Sequence, residues 1–193
     1  MDSVLPLQTV PGTRRLSNAV LGVAIFVAAE AMFFAALISA HTIARATAPG
    51  GVWPPPGQPR LPIERTAVNT AALLLSGILL WTGNRMMLRS SEAAKRCVTA
   101  AILLGAAFVS LQGVEWARLL REGLTITSST HGGFFYLIIG AHALHVVGGL
   151  VALTWAYWGA QRRTVSPEVF TAARFFWYFV VLLWPVLYWR IYL

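Results

Sequence analysis

Glu30 is the residue whose type and position most strongly suggest chemistry. It lies inside an apolar run, residues 19–40, that no other charged residue interrupts. A charged carboxylate at the centre of a membrane costs about 2.5–3.5 kcal/mol on insertion scales, so Glu30 must be neutral, paired or turned toward protein. A functional role is the default for such a residue, and a structural hydrogen bond between two helices is an equal alternative.

His142 and His145 lie three residues apart and therefore on one face of a helix. Two imidazoles supply only half of a tetrahedral metal shell, so hydrogen bonds to neighbouring helices are favoured over a metal site. Glu30 and His145 fall at about the same depth, which makes them expected partners if the first and fourth helices pack together. The flanking small residues should allow close packing and face protein: Gly140, Gly148 and Gly149.

Gln112 and Glu115 form a second polar pair at helical spacing. Arg118 follows Glu115 by three residues and is expected to neutralise it, which favours a structural pair over a proton carrier. The sequence contains no GxSxG motif and no Walker or Rossmann loop, so no catalytic residue is predicted.

The elements that must position these residues are five apolar runs. About 20 apolar residues are needed to cross a bilayer, and spans are predicted at about 16–43, 66–88, 97–120, 132–160 and 168–193. Apolar residues make up 57% of the 193 residues and charged residues only 11%, less than half the share usual in soluble domains. His41 and His131 fall near membrane ends. We predict an all-α, polytopic membrane protein, one domain of residues 1–193 formed by a bundle of five transmembrane helices.

Basic residues set the expected orientation. The net charge of +8 comes without an aromatic-interleaved basic stretch, so it indicates basic loops at a membrane surface and no nucleic-acid partner. The N-terminal side carries Arg14, Arg15, Arg85, Arg89, Lys95, Arg96, Arg162, Arg163 and Arg174, and the other side Arg45, Arg60, Arg65, Arg118, Arg121 and Arg190. This excess predicts a cytoplasmic N-terminus and a C-terminus outside. Arg85 and Arg89 are candidates for binding lipid phosphate head groups.

Six motifs occur in an order that carries a family resemblance. They are GVAIFVAAEAMFF at 22–34, WPPPG at 53–57, Asn69-Thr70, Ser76-Gly77, Gln112 with Glu115, and GAHALHVVGG at 140–149. Together they resemble subunit III of haem–copper terminal oxidases, either cytochrome c or quinol oxidases, in its five-helix type. The resemblance covers residues 14–193 and places Glu30 at the family's intramembrane glutamate.

Two features depart from that family's pattern. Its last helix often reads W-H-F-V-D, whereas Tyr178 and Val181 stand here in place of the histidine and aspartate. Any role of those two side chains is therefore absent. Seven-helix members also have two N-terminal helices that form a lipid-filled cleft. Few residues precede the first span here, so that cleft is expected to be missing or completed by another chain.

The resemblance implies an accessory subunit of a respiratory complex that reduces O₂ to water and pumps protons in the bacterial inner membrane. Haem and copper are then expected on partner subunits, and this chain is expected to bind phospholipid but no metal. Subunit I is the implied main contact, with subunit II and further respiratory complexes as other partners. The residues implied to support proton uptake are Glu30, His142, His145, Gln112 and Glu115.

Other functions remain open from the residues alone. One is the accessory subunit of a nitric oxide reductase system, and another is a free-standing transporter or scramblase that uses Glu30 as its coupling group. Transporters usually show internal repeats or broken helices around a midplane site, and the five runs show no convincing repeat. An intramembrane metalloprotein would need more histidines or carboxylates facing His142 and His145.

Overall fold

A computed structural model describes residues 17–87 and 91–193, and five long helices form within them. They are α1 (Asn18–Ala46), α2 (Ile63–Met86), α3 (Ser91–Arg121), α4 (Thr130–Gln161) and α5 (Pro167–Tyr192). Each is long and apolar enough to cross a membrane. The prediction of an all-α protein with five membrane-spanning helices is confirmed. Three arginines of the orientation argument, Arg14, Arg15 and Arg89, lie outside the described residues.

The helix ends have local causes. The Ser17 hydroxyl accepts the backbone N–H of Val20 at 3.4 Å, and the Ser129 hydroxyl accepts that of Gly132 at 3.0 Å, so both serines cap a helix N-terminus. α5 begins at Pro167, because proline already has helical φ and lacks the N–H that the first turn leaves unpaired. α2 and α3 begin several residues before the predicted spans, since a helix continues past the hydrocarbon into its charged first turn.

α5 is the central helix of the bundle. It packs against α1, α2 and α4, while α2 pairs with α3 and α3 also reaches α4. The end of α1, the start of α2 and the end of α5 lie at the same side of the bundle. There Arg190 donates to Thr42 at 2.6 Å, and the Tyr188 hydroxyl donates to the Ile63 carbonyl at 3.1 Å. We call this side the Leu193 end, and the opposite side the Ser17 end.

Two tryptophans of α5 fill the core, and glycines on the facing helices make room for one of them. Trp177 and Trp184 are fully buried. A Cβ on Gly105 of α3 would lie 2.7 Å from the Trp177 ring, and one on Gly149 of α4 would lie 3.2 Å from it. Small residues of this kind let helices approach closely where lipid gives no hydrophobic drive for association.

The α4 glycines agree only in part with the sequence prediction. Gly149 packs on α5, and Gly140 lies 3.6 Å from the Trp116 ring, measured from an added Cβ. Among the described residues nothing lies within 4 Å of a Cβ on Gly148, so this glycine does not pack against another helix of the chain, and its contact with protein stays a prediction. Neighbouring helical residues point about 100° apart, and only one of two adjacent glycines can face α5.

The close approach at Gly105 gives a stability prediction. Gly105→Ala should destabilise the bundle by about 1–3 kcal/mol, because the new methyl group would overlap the Trp177 ring. Gly113→Ala on the same helix is the matched control, since no described residue comes within 4 Å of a Cβ at that position. The control should be unchanged or stabilised by up to about 1 kcal/mol through helix propensity. Thermal unfolding in detergent micelles measures both, and equal stabilities would contradict this packing.

Candidate functional site

Glu30 and His145 meet halfway along the helices, between α1 and α4. They lie near the midpoints of α1 and α4, and Oε2 of Glu30 is 2.9 Å from Nε2 of His145. Their side chains are only 19% and 17% exposed. The first and fourth helices therefore pack together at this depth, and the partner predicted by counting residues along them is the one observed.

The contact of His145 Nδ1 with the Ala141 carbonyl indicates how hydrogens are arranged in the Glu30–His145 pair. Nδ1 lies 2.7 Å from the carbonyl oxygen of Ala141, and a carbonyl only accepts, so Nδ1 carries a hydrogen. A hydrogen bond between Nε2 and the Glu30 carboxyl then requires one further proton on the pair. It belongs either to a carboxylic acid that donates to neutral imidazole or to an imidazolium that donates to carboxylate. The pair is neutral overall in both forms, which meets the requirement for a polar group at this depth.

Two aromatic rings flank His145 in the Glu30–His145 pair. The centroid of the Phe34 ring lies 5.3 Å from that of His145 in an edge-on arrangement, and the Phe176 centroid lies 6.2 Å away. Phe34 is 1% exposed and is one of only two buried residues described in α1. The pair is therefore one of the few specific contacts that attach α1 to the other helices.

His142 does not share that arrangement. It is 1% exposed and stacks on Trp184 with ring centroids 5.0 Å apart and planes 27° apart. Neither of its ring nitrogens has a hydrogen-bond partner within residues 17–87 and 91–193. The predicted hydrogen bond to a neighbouring helix is thus not found for His142, whose ring is held by stacking on α5.

Gln112 joins three helices close to the Leu193 end. Its carbonyl oxygen accepts from the Asn69 amide at 3.1 Å, and its own amide donates to the Tyr192 hydroxyl at 3.1 Å. Asn69 also lies within 3.3 Å of the Phe108 carbonyl, to which it donates. α2, α3 and α5 are therefore connected by one buried polar network.

Glu115 is paired differently from the prediction. Its carboxylate lies 3.2 Å from Arg65 of α2, whereas Arg118 binds Glu122 at 2.8 Å. The expected Glu115–Arg118 pair is wrong, because Arg118 meets a carboxylate one turn further along its own helix and Glu115 turns toward α2. The five residues of the predicted polar framework therefore form two groups. Glu30, His142 and His145 lie near the middle of the helices, whereas Gln112 and Glu115 lie near the Leu193 end.

Two hydrogen bonds from α5 to α2 were not predicted. The Trp177 indole N–H donates to Ser76 at 3.1 Å, and the Trp184 indole N–H donates to Thr70 at 2.8 Å. The Ser76 hydroxyl in turn donates to the Ala101 carbonyl of α3 at 2.8 Å. These hydrogen bonds could have been predicted from the residue types. A buried indole N–H needs an acceptor, and α2 carries hydroxyl residues at two depths.

The remaining candidates concern lipid and metal. Arg85 is exposed near the Ser17 end, with its guanidinium 4.2 Å from the centre of the Trp81 ring. Arg89, the other candidate for a phosphate head group, lies outside the described residues. In the part of the chain that the structure describes, no group of three or more His, Cys, Asp or Glu side chains could hold a metal ion.

Comparison with known proteins gives matches over nearly the whole chain. The family model for cytochrome c oxidase subunit III matches residues 13–193. A probable cytochrome c oxidase subunit 3 of Nocardia farcinica is 33% identical over 189 residues, covering 96% of this chain and 92% of the relative. The corresponding Mycobacterium leprae protein is 34% identical over 176 residues, covering 89% and 86%. The Gallus gallus cytochrome c oxidase subunit 3 is 32% identical over 179 residues, covering 89% and 67%.

Glu30 and His145 should be energetically coupled. Glu30→Leu and His145→Leu should each destabilise the bundle by about 0.6–1.7 kcal/mol, since each breaks the same intramembrane hydrogen bond. The double variant should cost less than the sum of the two, which a double-mutant cycle of thermal unfolding in micelles measures. Glu92→Gln is the control, because this glutamate is 70% exposed and bonds only within α3. Strictly additive losses would contradict the coupling.

Proposed function

The chain belongs to the cytochrome c oxidase subunit III family and is an accessory subunit of a haem–copper oxidase, and from this premise we propose that its own role is non-catalytic. Haem and copper are then held by partner subunits. The chemistry of this chain supports that division, because its described histidines and carboxylates do not assemble into a ligand group. O₂ reduction is accordingly assigned to other chains of the complex.

We propose one membrane domain, residues 1–193, in the bacterial inner membrane with the Ser17 end at the cytoplasm. The meeting of alternate helix ends supports five crossings, and the excess of Lys and Arg on the N-terminal side supports the orientation. The Leu193 end then faces outward. Subunit I is proposed as the main contact, with subunit II and further respiratory complexes as additional partners.

The Glu30–His145 pair is proposed to support proton uptake by holding α1 in place. Adding a proton to the pair, or removing one, would leave a net charge at the membrane centre, which is costly there. The single shared proton can change sides at constant charge. The pair is therefore proposed to have two roles next to the proton entry of the complex: it positions α1, and it holds a proton that can move between Glu30 and His145 without a change in net charge. The network of Gln112 and the ion pair of Glu115 support the same framework near the Leu193 end.

Phospholipid is proposed to bind at the Ser17 end beside Arg85. This arginine lies over Trp81, and Trp81 lines an open apolar groove of about 430 Å³ between α2 and α5 that also includes Leu74 and Val181. A cationic group at the mouth of an apolar groove suits a phosphate head group with its acyl chain below. Arg89 stays a candidate from the sequence for binding a phosphate head group.

The names of the relatives favour the oxidase over the other functions considered. The three reported above are oxidase subunits, which supports that assignment over a nitric oxide reductase subunit. A transporter needs a coupling carboxylate that exchanges with water, whereas the Glu30 side chain is only 19% exposed and is paired with His145.

Purification tests whether the chain is part of the complex and whether haem and copper are held by its partner subunits. A tagged copy of the chain should co-purify in mild detergent with large partner subunits and with a haem absorption spectrum. After separation from those partners the chain should be colourless and free of copper, as measured by absorption and metal analysis. Haem or copper that stays with the isolated chain would contradict the non-catalytic role.

Substitution of Glu30 separates its two proposed roles. Glu30→Gln should keep the chain in the complex, because the amide can still hydrogen-bond to His145, but should reduce O₂ consumption over repeated turnovers or shift its pH profile. Glu30→Leu should also weaken retention of the chain, since it leaves His145 without that partner. Retention by gel and O₂ consumption against pH measure both. Wild-type behaviour of both variants would remove Glu30 from the proposed function.

A further inference from the structure

A cavity at the Leu193 end borders the Gln112 network through Tyr192 and lies apart from the Glu30–His145 pair and the Arg85 groove. It has a volume of about 250 Å³ and is built by five segments of the chain: the end of α1, the α1–α2 connection that contains WPPPG, the start of α2, the start of α4 and the end of α5. Its wall includes Arg45, Arg60, Trp53, His131 and Ile191. We call it the Arg45–His131 cavity.

Two arginines give this cavity a positive wall. Arg45 and Arg60 are exposed, and both line it. The ion pairs among residues 17–87 and 91–193 join other groups, so neither arginine has a carboxylate within 4.0 Å there. Two guanidinium groups without an anionic partner attract an anion, and arginine matches the oxygens of a phosphate especially well.

A buried histidine points to the same ligand chemistry. His131 lines the cavity, is only 3% exposed, and has no hydrogen-bond partner for either ring nitrogen in the described part of the chain. At least one of those nitrogens carries a hydrogen that needs an acceptor. His131 also lies in the first turn of α4, where the partial positive charge of the helix N-terminus favours an anion.

Trp53 holds the histidine in place. Its ring stands edge-on to His131 with centroids 5.3 Å apart, and edge-on to His41 with centroids 5.5 Å apart. Two histidines against one indole could suggest a metal site, but Arg45 and Arg60 beside them would repel a cation. The charges therefore favour an anion as the ligand.

The rest of the wall distinguishes a lipid from a small free anion. Leu61, Ile63 and Ile191 line the cavity together with the arginines, so part of any ligand meets an apolar surface. The cavity also lies where helices end, at the depth of lipid head groups. We propose that the Arg45–His131 cavity binds the phosphate of an anionic phospholipid at the membrane surface of the Leu193 end, opposite to the Arg85 site.

Lipid binding to the purified oxidase complex tests this proposal. The complex is delipidated and reconstituted with phosphatidylglycerol, with phosphatidylcholine, or with phosphatidylcholine plus inorganic phosphate. Bound lipid per complex is then counted by native mass spectrometry. The wild-type complex should retain phosphatidylglycerol preferentially, and inorganic phosphate at millimolar concentration should not displace it.

Matched variants assign the binding to this cavity. Arg45→Gln and Arg60→Gln should each weaken phosphatidylglycerol retention about fivefold, the effect of one basic residue at an anionic surface. Arg121→Gln is the control, since this exposed arginine of α3 lies at the same end but outside the cavity. His131→Gln should weaken retention too, and retention of the chain in the complex shows that each variant folds.

Three results would overturn the proposal. One is equal phosphatidylglycerol retention in the wild type and the Arg45→Gln/Arg60→Gln double variant. A second is displacement of the lipid by inorganic phosphate, which would identify a free-anion site. A third is cross-linking of Arg60→Cys to an acidic segment of a partner subunit, which would show protein in place of lipid.

Discussion

Hydrocarbon offers no hydrogen-bond partner, and this constraint determines how α2 and α5 are joined. The indole N–H groups of Trp177 and Trp184 are fully buried, and each donates to a hydroxyl of α2, at Ser76 and Thr70. Two donors at different depths fix both the rotation and the vertical position of one helix against the other. α5 in turn packs against α1 and α4, so these two hydrogen bonds help to position the central pair.

α1 depends on fewer contacts than the other helices. Phe34 and His41 are its buried residues in the described part of the chain, while side chains such as Met32 and Ile43 are largely exposed. Its attachment at the membrane centre is the Glu30–His145 hydrogen bond, and at the Leu193 end the Arg190–Thr42 hydrogen bond. The Glu30 carboxyl group, which is costly in a membrane when unpaired, thus helps to attach α1 where apolar packing is sparse.

Hydropathy and residue counting predicted the five helices and the shared depth of Glu30 and His145, because both depend only on rise along a helix. They did not predict rotation about the helix axes. Glu115 was expected to pair within its own helix but turns to Arg65, and of the adjacent Gly148 and Gly149 only the second packs against another helix of the described chain. Rotation is decided by packing between helices that are distant in sequence, and local spacing does not contain that information.

Depth also separates the two histidine environments of this protein. His145 lies at the centre, where its hydrogen bonds to Glu30 and Ala141 satisfy both ring nitrogens at zero net charge. His131 lies at the Leu193 end, where the WPPPG connection brings Trp53 against it and two arginines share its cavity. In the sequence, WPPPG served only as one of the six motifs of the family resemblance. Two arginines without a carboxylate partner among the described residues cost less at that end, where their exposed side chains can reach water, than at the membrane centre, where an unpaired charge is expensive.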